Sequence, residues 1–281
     1  MIRRIYHLVQ LRIGINIVKA ELGAALAAFC CVVWDMIELY EDETLTRVNE
    51  NLNLIQKKQG LTFGTDAYLL YAYMKAQKSS VAVDLGCGTG IISLLCASKG
   101  KFKKIYAVDI QEEFCSVAKR NAEANSLDNV EIVHSDVREL RLEADVVFTN
   151  PPYMRSDSGR SNESSAKNIA RHEIFGGIFD FTEAASRILK FGGLFYCVYR
   201  PDRLCDLICS MRESGIEPKR MTFVHATEEH EPSMVLIEGK KGAKPSVVLT
   251  KPLILNNEKG ESEDVKYIYE RGEFGERFCK R

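Results

Sequence analysis

The sequence has no excess of charge of either sign, since 38 Lys and Arg oppose 39 Asp and Glu among 281 residues. This balance excludes a globally basic nucleic-acid binder, although a local basic face can still contact phosphates. The nine cysteines include no CxxC pair, and they are too sparse for a small disulfide scaffold. We therefore expect reduced thiols and no metal site.

The sequence also has no long apolar run. The longest extends over 22–34 and has 13 residues, whereas a helix that crosses a bilayer needs about 20. Arg12, Lys19 and Glu21 interrupt the approach to this run, which disfavours a signal peptide. We expect a cytoplasmic protein without stable membrane association.

The composition is that of a folded chain, with 46% hydrophobic and 27% charged residues, and the length predicts one or two domains. Residues 1–35 differ from the rest because they are rich in Ile, Leu and Ala and have no strand or turn pattern. Three explanations stay open for them. They form a helix packed on the domain, or they form a helix on a membrane surface. In the third explanation the start is assigned too far upstream, and Met36 is the true first residue.

Short apolar runs alternate with amphipathic helical segments from residue 81 onward. The runs are VAVDLG (81–86), KIYAVDI (104–110), VEIVHSD (130–136), ADVVFTN (144–150) and GGLFYCVYR (192–200). Continuous apolar strands separated by helices predict an α/β fold with a mostly parallel sheet covered on both faces. KRMTFVHA and SMVLIEGKKG follow with a short gap between them, which predicts a hairpin and hence one antiparallel strand.

Four segments are predicted along the chain. They are an N-terminal extension (1–35), a hairpin and helix (36–80), the α/β domain (81–244), and a C-terminal strand and tail (245–281). In the second segment, LNLIQKKQGLTF is typical of a hairpin with its turn at Lys57 to Gly60. The helix TDAYLLYAYMKAQK follows, and the hydroxyl of Thr65 is a candidate N-cap.

A glycine-rich motif, Asp84-Leu-Gly86-Cys-Gly88-Thr-Gly90, ends the first of these strands and opens a helix. Glycines let the backbone turn tightly and approach a ligand closely, and the helix N-terminus favours an anionic group. The dinucleotide fingerprint would need glycine where Ile91 stands, and the absence of GxxxxGK[ST] argues against an NTPase. An acid followed by GxGxG resembles motif I of the Rossmann-type S-adenosylmethionine-dependent methyltransferases.

Two further acids follow strand ends beside this motif. Asp109 ends the second strand, where a carboxylate can bind the two hydroxyls of a ribose, and it can also cap the helix that begins near Gln111. The resemblance implies that Asp136, after the third strand, reaches the amino group of the adenine in the cofactor, S-adenosyl-L-methionine. The predicted cofactor ligands in this region are Asp84, Gly86, Gly88, Gly90, Asp109, Ile110, Asp136 and Val137.

The most specific motif is Asn150-Pro151-Pro152-Tyr153, which follows the fourth strand. An exocyclic amine conjugated to a ring is a weak nucleophile, and the Asn150 side-chain oxygen and the Pro151 carbonyl can accept its two N–H groups. These contacts hold the nitrogen in line with the sulfonium methyl and support the positive charge that grows on it. The prolines stiffen the segment, and Tyr153 can stack on an unpaired base. We predict that all four residues are catalytic and that Asn150 also contacts the cofactor.

The segments GLTFGTDAYLL (60–70) and IARHEI (169–174) narrow the resemblance. Together with motif I and NPPY they are similar to the bacterial tRNA valine adenine-37 N6-methyltransferase family, over about residues 40–270. We therefore expect a Rossmann-like methyltransferase fold with a seven-stranded, mostly parallel sheet and one antiparallel strand. The resemblance implies that Thr65 and Asp66 border the cofactor and that Arg171 and His172 lie near the substrate. The activity it implies is N6-methylation of an unpaired adenine in the anticodon loop of tRNA.

Other functions stay open. NPPY also occurs in enzymes that methylate the glutamine amide of peptide-chain release factors, and these enzymes carry a helical substrate domain ahead of motif I. It occurs as well in other nucleic-acid amine methyltransferases. A module that senses the cofactor or binds RNA without catalysis is the non-enzyme alternative. Candidate RNA contacts fall into three basic groups, of which the third flanks NPPY. The groups are Lys99, Lys101, Lys103 and Lys104; Lys240, Lys241 and Lys244; and Arg155, Arg160 and Arg171.

Overall fold

The computed structural model describes residues 39–58, 64–151 and 176–279. The chain divides into two compact units, 1–40 and 41–281, and of the first unit only Leu39 and Tyr40 are described. The three explanations for residues 1–35 therefore concern residues outside the described part. Among the described residues no helix is both long and apolar enough to cross a membrane. All described helices and strands belong to the second unit.

Seven long strands form the central sheet of the described chain. They are β3 (Gln77–Leu85), β4 (Phe102–Asp109), β5 (Val130–His134), β6 (Ala144–Thr149), β7 (Leu189–Tyr199), β8 (Ile216–His225) and β9 (Pro232–Lys241). Hydrogen bonding orders them β5-β4-β3-β6-β7-β9-β8. Strand β9 runs antiparallel to both of its neighbours, and the other pairs are parallel. This arrangement confirms the predicted mostly parallel sheet with one antiparallel strand, including the predicted hairpin of β8 and β9. Among the described residues, two short strands that pair with β8 bring the sheet to nine strands instead of the predicted seven.

Helices cover both faces of this sheet. The described helices are α1 (Thr65–Tyr73), α2 (Ile91–Ser98), α3 (Glu112–Ala124), α4 (Ile178–Ile188), α5 (Leu204–Glu213) and α6 (Glu263–Arg271). Val146 and Phe148 of β6 pack in one cluster with α1 and α2, whereas Val147 packs in a second cluster with α4 and α5. All three side chains are fully buried. Because β6 buries both of its faces, its sequence is a continuous apolar run instead of an alternating one.

An antiparallel hairpin of β1 (Glu43–Asn49) and β2 (Leu52–Lys57) precedes α1. The predicted turn at Lys57 to Gly60 falls partly on residues outside the described ones, and it is not the turn of this hairpin, because β2 pairs with the strand before it. The chain reverses at Glu50 and Asn51 instead. There the Asn49 side-chain oxygen accepts the backbone N–H of Asn51 at 2.9 Å, a local hydrogen bond that favours asparagine in turns.

The hairpin is attached to the domain through α3. The fully buried Asn121 of α3 accepts the backbone N–H of Ile55 at 2.7 Å and donates to the Ile55 carbonyl at 3.1 Å. The same amide group donates to the carbonyl of Thr89 at 3.0 Å. Arg120, the neighbouring residue, pairs with the buried Glu43 of β1 at 2.7 Å. One buried asparagine thus joins the hairpin to the glycine-rich loop that follows β3.

The C-terminal region contains more structure than the sequence predicted. The expected strand SVVLTKPLIL is divided into β10 (Val248–Leu249) and β11 (Leu253–Ile254), which both pair parallel with β8. Pro252 lies between them and has no N–H to give to a ladder. The predicted turn NNEKG lies in a short hairpin of β12 (Asn256–Asn257) and β13 (Gly260–Glu261). The four predicted segment boundaries stay predictions.

Helix α6 was not predicted from the sequence. It begins after Ser262, whose hydroxyl accepts the N–H of Val265 at 3.2 Å, and it ends at Gly272, which has a φ of 69°. Val265 and Ile268 are its buried residues. The capping serine, the spacing of three between the apolar residues and the terminal glycine are helix signals that the sequence does contain.

Two buried cations fix the C-terminal end of α1. Lys101, which is 5% exposed, donates to the carbonyls of Tyr71 at 2.7 Å and Met74 at 2.8 Å. Arg220 donates to the Tyr73 carbonyl at 2.8 Å. Cations at this end complement the helix dipole and the unpaired carbonyls of the last turn. Lys101 was therefore wrong as a candidate RNA contact, because its ammonium group is buried against a helix end.

Arg220 also connects three parts of the molecule. Its guanidinium pairs with the buried Glu238 of β9 at 2.8 Å, lies 3.7 Å from the centre of the Tyr73 ring, and donates to the Phe278 carbonyl at 3.2 Å. Phe274 packs edge-on against Tyr73 with 5.2 Å between ring centres. The segment after α6 is thereby held against α1.

Replacing Arg220 should destabilise the fold strongly. Arg220→Ala leaves the buried Glu238 carboxylate without its cation, so we expect the free energy of unfolding to fall by about 3–5 kcal/mol. Arg212→Ala is the matched control, because Arg212 forms an exposed pair with Glu217 at 3.2 Å and its loss should cost less than about 1 kcal/mol. Urea unfolding measures both changes, and equal losses in the two variants would contradict this account.

Candidate active site

Most of the described residues of the predicted site lie at one edge of the sheet, where the parallel strands β3 to β6 end. Leu85 of β3 is in register with Val108 of β4 on one side and with Thr149 of β6 on the other. The glycine-rich loop that follows β3 therefore lies between Asp109 and Asn150. Ligands of open α/β sheets bind at this kind of edge, outside the carboxyl ends of the strands.

The glycine-rich loop has a left-handed backbone at alternate residues. Gly88 has a φ of 55° and Gly90 a φ of 87°, a region that side chains other than glycine rarely adopt. A Cβ atom at Gly90 would lie 3.2 Å from the Cβ of Ala118, so glycine is also needed there for the packing of α3. No described atom lies within 4 Å of a Cβ built at Gly88, so this side of the loop faces open space.

Asp109 is buried and holds two backbone groups. One carboxylate oxygen accepts the N–H of Gly88 at 2.9 Å, and the other accepts the N–H of Gln111, at the start of α3, at 2.9 Å. Burial raises the pKa of Asp109, and these backbone hydrogen bonds oppose the rise. Each carboxylate oxygen has a second lone pair with which it can still accept from a ribose hydroxyl. The carbonyl of the next residue, Ile110, accepts from the His134 ring at 3.0 Å.

Asp84 contributes a carboxylate that is only half satisfied. It is 1% exposed, and one of its oxygens accepts the hydroxyl of Ser93 at 2.7 Å. The other oxygen is buried and has no hydrogen-bond partner in the described part of the chain. Burial raises the pKa of Asp84 to about 7. An unsatisfied acceptor beneath a glycine loop fits a ligand that brings positive charge or N–H donors, as the ammonium and sulfonium groups of S-adenosylmethionine do.

Asp136 lies at the same edge but has a partner that the sequence analysis did not anticipate. Its carboxylate accepts the N–H of Arg138 at 2.8 Å and forms an ion pair with the Arg138 guanidinium, which holds the pKa of Asp136 below its ordinary value. The neighbouring Val137 is buried, and its carbonyl accepts from Arg187 at 2.8 Å. The predicted contact of Asp136 with adenine stays a prediction.

Asn150 is fixed at the end of β6. The hydroxyl of the preceding Thr149 donates to the Leu85 carbonyl at 2.7 Å, which ties the end of β6 to β3. The Asn150 Nδ2 atom donates to the Asp66 Oδ2 atom of α1 at 2.8 Å. Pro151 is buried beside Asn150. The predicted Pro152, Tyr153, Arg171 and His172 lie outside the described residues, as do Arg155 and Arg160.

The N-terminus of α1 differs from the prediction. Thr65 is the first residue of the helix, and Gly64 occupies the N-cap position without a side-chain hydrogen bond. The proposed capping role of the Thr65 hydroxyl is therefore wrong. A Cβ atom at Gly64 would lie 2.5 Å from the Asp66 Oδ1 atom. The space beside the cap is taken by this carboxylate, and Thr65 is exposed.

An open cleft of about 800 Å³ borders Asp66. Its walls come from the start of α1, the end of β7 and the start of β9, and they include Thr65, Asp66, Tyr199, Arg200, Ser233 and Met234. Because β9 runs antiparallel, it begins at the edge where β7 ends. No motif in the sequence marks the β7 and β9 residues of this cleft, although the predicted antiparallel strand implies that the end of β7 and the start of β9 meet. In the described residues no group of three or more His, Cys, Asp or Glu is arranged to hold a metal ion.

Comparisons with known proteins identify relatives of this chain. A family model described as the methyltransferase small domain matches residues 58–205. A protein of Phocaeicola vulgatus named tRNA1(Val) (adenine(37)-N6)-methyltransferase is 31% identical over 180 residues, which cover 63% of this chain and 76% of that protein. A protein with the same name from Dyadobacter fermentans is 26% identical, over 72% of this chain and 85% of the relative.

Solved structures share the fold at lower identity. A predicted O-methyltransferase from Agrobacterium tumefaciens has a TM-score of 0.60 and 20% identity, and the match covers 75% of this chain and 98% of the other. A methyltransferase from Pyrococcus furiosus has a TM-score of 0.53 and 19% identity, with 70% and 92% covered. The predicted Rossmann-like methyltransferase fold is confirmed.

The raised pKa of Asp84 gives a pH dependence of stability. Between its ordinary pKa of 3.8 and its folded value of about 7, the folded protein binds a proton that the unfolded chain releases. The contribution of Asp84 is therefore fully present at low pH and is lost as the pH rises through about 7. Relative to Asp84→Asn, the wild type should lose up to about 1.4 kcal/mol per pH unit in this window.

Urea unfolding at pH values from about 5 to 8 measures this difference. Asp136→Asn is the control, because Arg138 holds the pKa of Asp136 below its ordinary value and its difference from the wild type should stay constant in the window. A flat difference for Asp84→Asn as well would show that the buried carboxyl group does not titrate there.

Proposed function

The chain belongs to the methyltransferase small domain family, and we propose that it methylates the N6 amine of an unpaired adenine in tRNA. The names of the curated relatives support adenine 37 of tRNA1(Val) as the target, in the anticodon loop, as the sequence motifs predict. The enzyme then acts in the cytoplasm on tRNA as its partner. The observation that carries the proposal is the Asn150 amide held at a strand end beside the glycine-rich loop.

The residues of the site compensate for the weak nucleophilicity of the adenine amine by orienting it. The lone pair of an adenine amine is delocalised into the ring, so the nitrogen needs to be held and its growing positive charge supported. The Asn150 side-chain oxygen and the Pro151 carbonyl accept its two N–H groups. These contacts hold the nitrogen in place and support the positive charge that grows on it. The surplus proton passes to water, so no general base is needed. Pro152 stiffens the segment, and Tyr153 stacks on the base.

S-adenosyl-L-methionine, when bound, supplies a sulfonium methyl group, whose C–S bond breaks as the N–C bond forms at the amine. The glycine-rich loop and the half-satisfied Asp84 hold the charged end of this cofactor. Asp109 with Ile110 holds its ribose, and Asp136 with Val137 holds its adenine. The left-handed glycines and the open space at Gly88 support this assignment, since a side chain there would fill the room that the cofactor needs.

The cleft beside Asp66 is the place for the target nucleotide. Its volume of about 800 Å³ lies within the range of small-ligand pockets, about 300–1,000 Å³. It adjoins the Asn150 amide through Asp66, so a base unstacked from its neighbours can enter from this side. Arg171 and His172 remain the proposed substrate contacts from the segment after NPPY.

The rival activity, methylation of a glutamine amide in release factors, has less support. Enzymes of that kind resemble this chain in motif I and NPPY but carry a helical substrate domain before motif I. Within the described residues from 41 to 80, a hairpin and the single helix α1 precede β3. The curated relatives named above are tRNA methyltransferases.

Removing the Asn150 amide should slow methyl transfer without abolishing cofactor binding. We expect Asn150→Ala to lower kcat by about 10²- to 10³-fold, the loss typical of one preorganised hydrogen-bonding group. Asn129→Ala is the matched control, because Asn129 precedes β5 at the opposite edge of the sheet. Nucleoside analysis of tRNA from a strain that lacks the protein, incubated with each variant and the cofactor, measures the product. Full activity of Asn150→Ala would refute the assigned role, and no methylated adenine with the wild type would refute the proposed function.

The glycine-rich loop offers a separate test of the cofactor site. Gly88 and Gly100 have nearly the same left-handed φ, 55° and 59°, and neither has a described atom within 4 Å of a built Cβ. Alanine at either position therefore costs a similar backbone strain, about 1–2 kcal/mol. Titration calorimetry should show weaker S-adenosylmethionine binding, by about tenfold or more, for Gly88→Ala and near wild-type binding for Gly100→Ala. Equal affinities in the two variants would contradict the cofactor site.

A further inference from the structure

We propose that Asp66 is a positioning residue, which sets the orientation of the Asn150 amide so that its oxygen faces the methyl acceptor. This inference rests on the proposed function. It differs from the expectation that Asp66 borders the cofactor as a ligand. In the structure the described side-chain partner of the Asp66 carboxylate is Asn150, which lies 84 residues later in the chain.

The need for such a residue follows from the shape of asparagine. The O and NH2 ends of the side-chain amide are almost the same size, so packing alone does not decide which end points where. With the NH2 end toward the substrate, Asn150 would present a donor to an amine that itself donates. Two donors facing each other lose a hydrogen bond and leave polar groups unsatisfied.

Asp66 removes this ambiguity because an ionised carboxylate only accepts hydrogen bonds. Its Oδ2 atom lies 2.8 Å from the Asn150 Nδ2 atom, in a partly buried position. Since the Nδ2 end is directed at Asp66, the Oδ1 end is directed away from it. The hydrogen bond involves a charged acceptor, which makes it stronger than one between neutral groups.

The surroundings of Asp66 are shaped to hold this carboxylate in place. It is the second residue of α1, where the helix dipole favours a negative charge. Gly64 has a φ of −114°, an extended backbone that any residue adopts, so backbone conformation does not explain its glycine. Space does, because a Cβ atom at Gly64 would lie 2.5 Å from the Asp66 Oδ1 atom. The other end of α1 is fixed by Lys101 and Arg220.

Two single variants and a matched control test the proposal. Asp66→Asn keeps the shape but allows either end of the Asn150 amide to face it, and Gly64→Ala displaces the carboxylate without backbone strain. Both should lower kcat by about 10- to 100-fold, with the dissociation constant of S-adenosylmethionine within about twofold of wild type. Asp264→Asn is the control, since Asp264 is also the second residue of its helix, α6, and its described ion-pair partner is Arg277. It should leave kcat unchanged.

A reciprocal exchange tests whether Asp66 and Asn150 act as a pair. Asn150→Asp alone places two carboxylates within hydrogen-bond distance, which repel each other and weaken the site. In the double variant Asp66→Asn with Asn150→Asp, the new amide can donate to the new carboxylate, whose oxygens all accept. We expect the double variant to be at least about tenfold more active than the product of the two single effects implies. Effects that simply multiply would overturn the proposal, because they would show that the two side chains do not act as a pair.

The orientation can also be observed without catalysis. In ¹⁵N-labelled protein the Asn150 side-chain NH2 signal is identified by its loss in Asn150→Ala. Asp66→Asn and Gly64→Ala should shift this signal, and Asp264→Asn should not. If the wild type methylates no tRNA, the proposed function fails, and this spectrum alone decides the positioning role. An unmoved signal overturns the proposal, as does a loss of cofactor affinity in Asp66→Asn with an unchanged kcat.

Discussion

Parallel pairing of β3 with β4 on one side and β6 on the other brings three strand ends to one edge of the sheet. This constraint puts the glycine-rich loop between Asp109 and Asn150, which are far apart in the sequence. Hydrogen bonds at the same edge then fix the loop and the strand ends relative to each other. Asp109 accepts the Gly88 N–H, Asn121 accepts and donates at the hairpin while holding the Thr89 carbonyl, and Thr149 ties β6 to β3. These hydrogen bonds determine the relative positions of the groups that form the site.

Much of the fold could be predicted because its signals are local. Runs such as ADVVFTN are apolar throughout because β6 buries both faces, and parallel strands must alternate with helices that cover them. The position of the site at one edge of the sheet could be predicted for the same reason, since acids, glycines and NPPY lie at the ends of these runs. The predicted family is confirmed by the family model and by the relatives, whereas the individual site roles are still predictions.

The features that could not be predicted depend on contacts between distant parts of the chain. The Asp66–Asn150 hydrogen bond spans 84 residues, and nothing near Asp66 in the sequence names its partner. Lys101 looked like one of several surface lysines, because its burial against the end of α1 is set by tertiary packing. The β1–β2 hairpin was not predicted from the sequence, although asparagines at 49 and 51 are typical of the turn that joins its strands. Helix α6 was a missed local signal.

The contact of Arg220 with both Tyr73 and Phe278 has a consequence for how the protein matures on the ribosome. Synthesis runs from the N-terminus, so α1 and the glycine-rich loop emerge about 200 residues before the segment that packs on Tyr73. Contacts at such separation form late, because the long intervening chain must first be closed. The packing of the helix that carries Asp66 is therefore completed only after the segment around Phe278 has been synthesised. A nascent chain that already contains every proposed catalytic residue still lacks the contacts that stabilise its site.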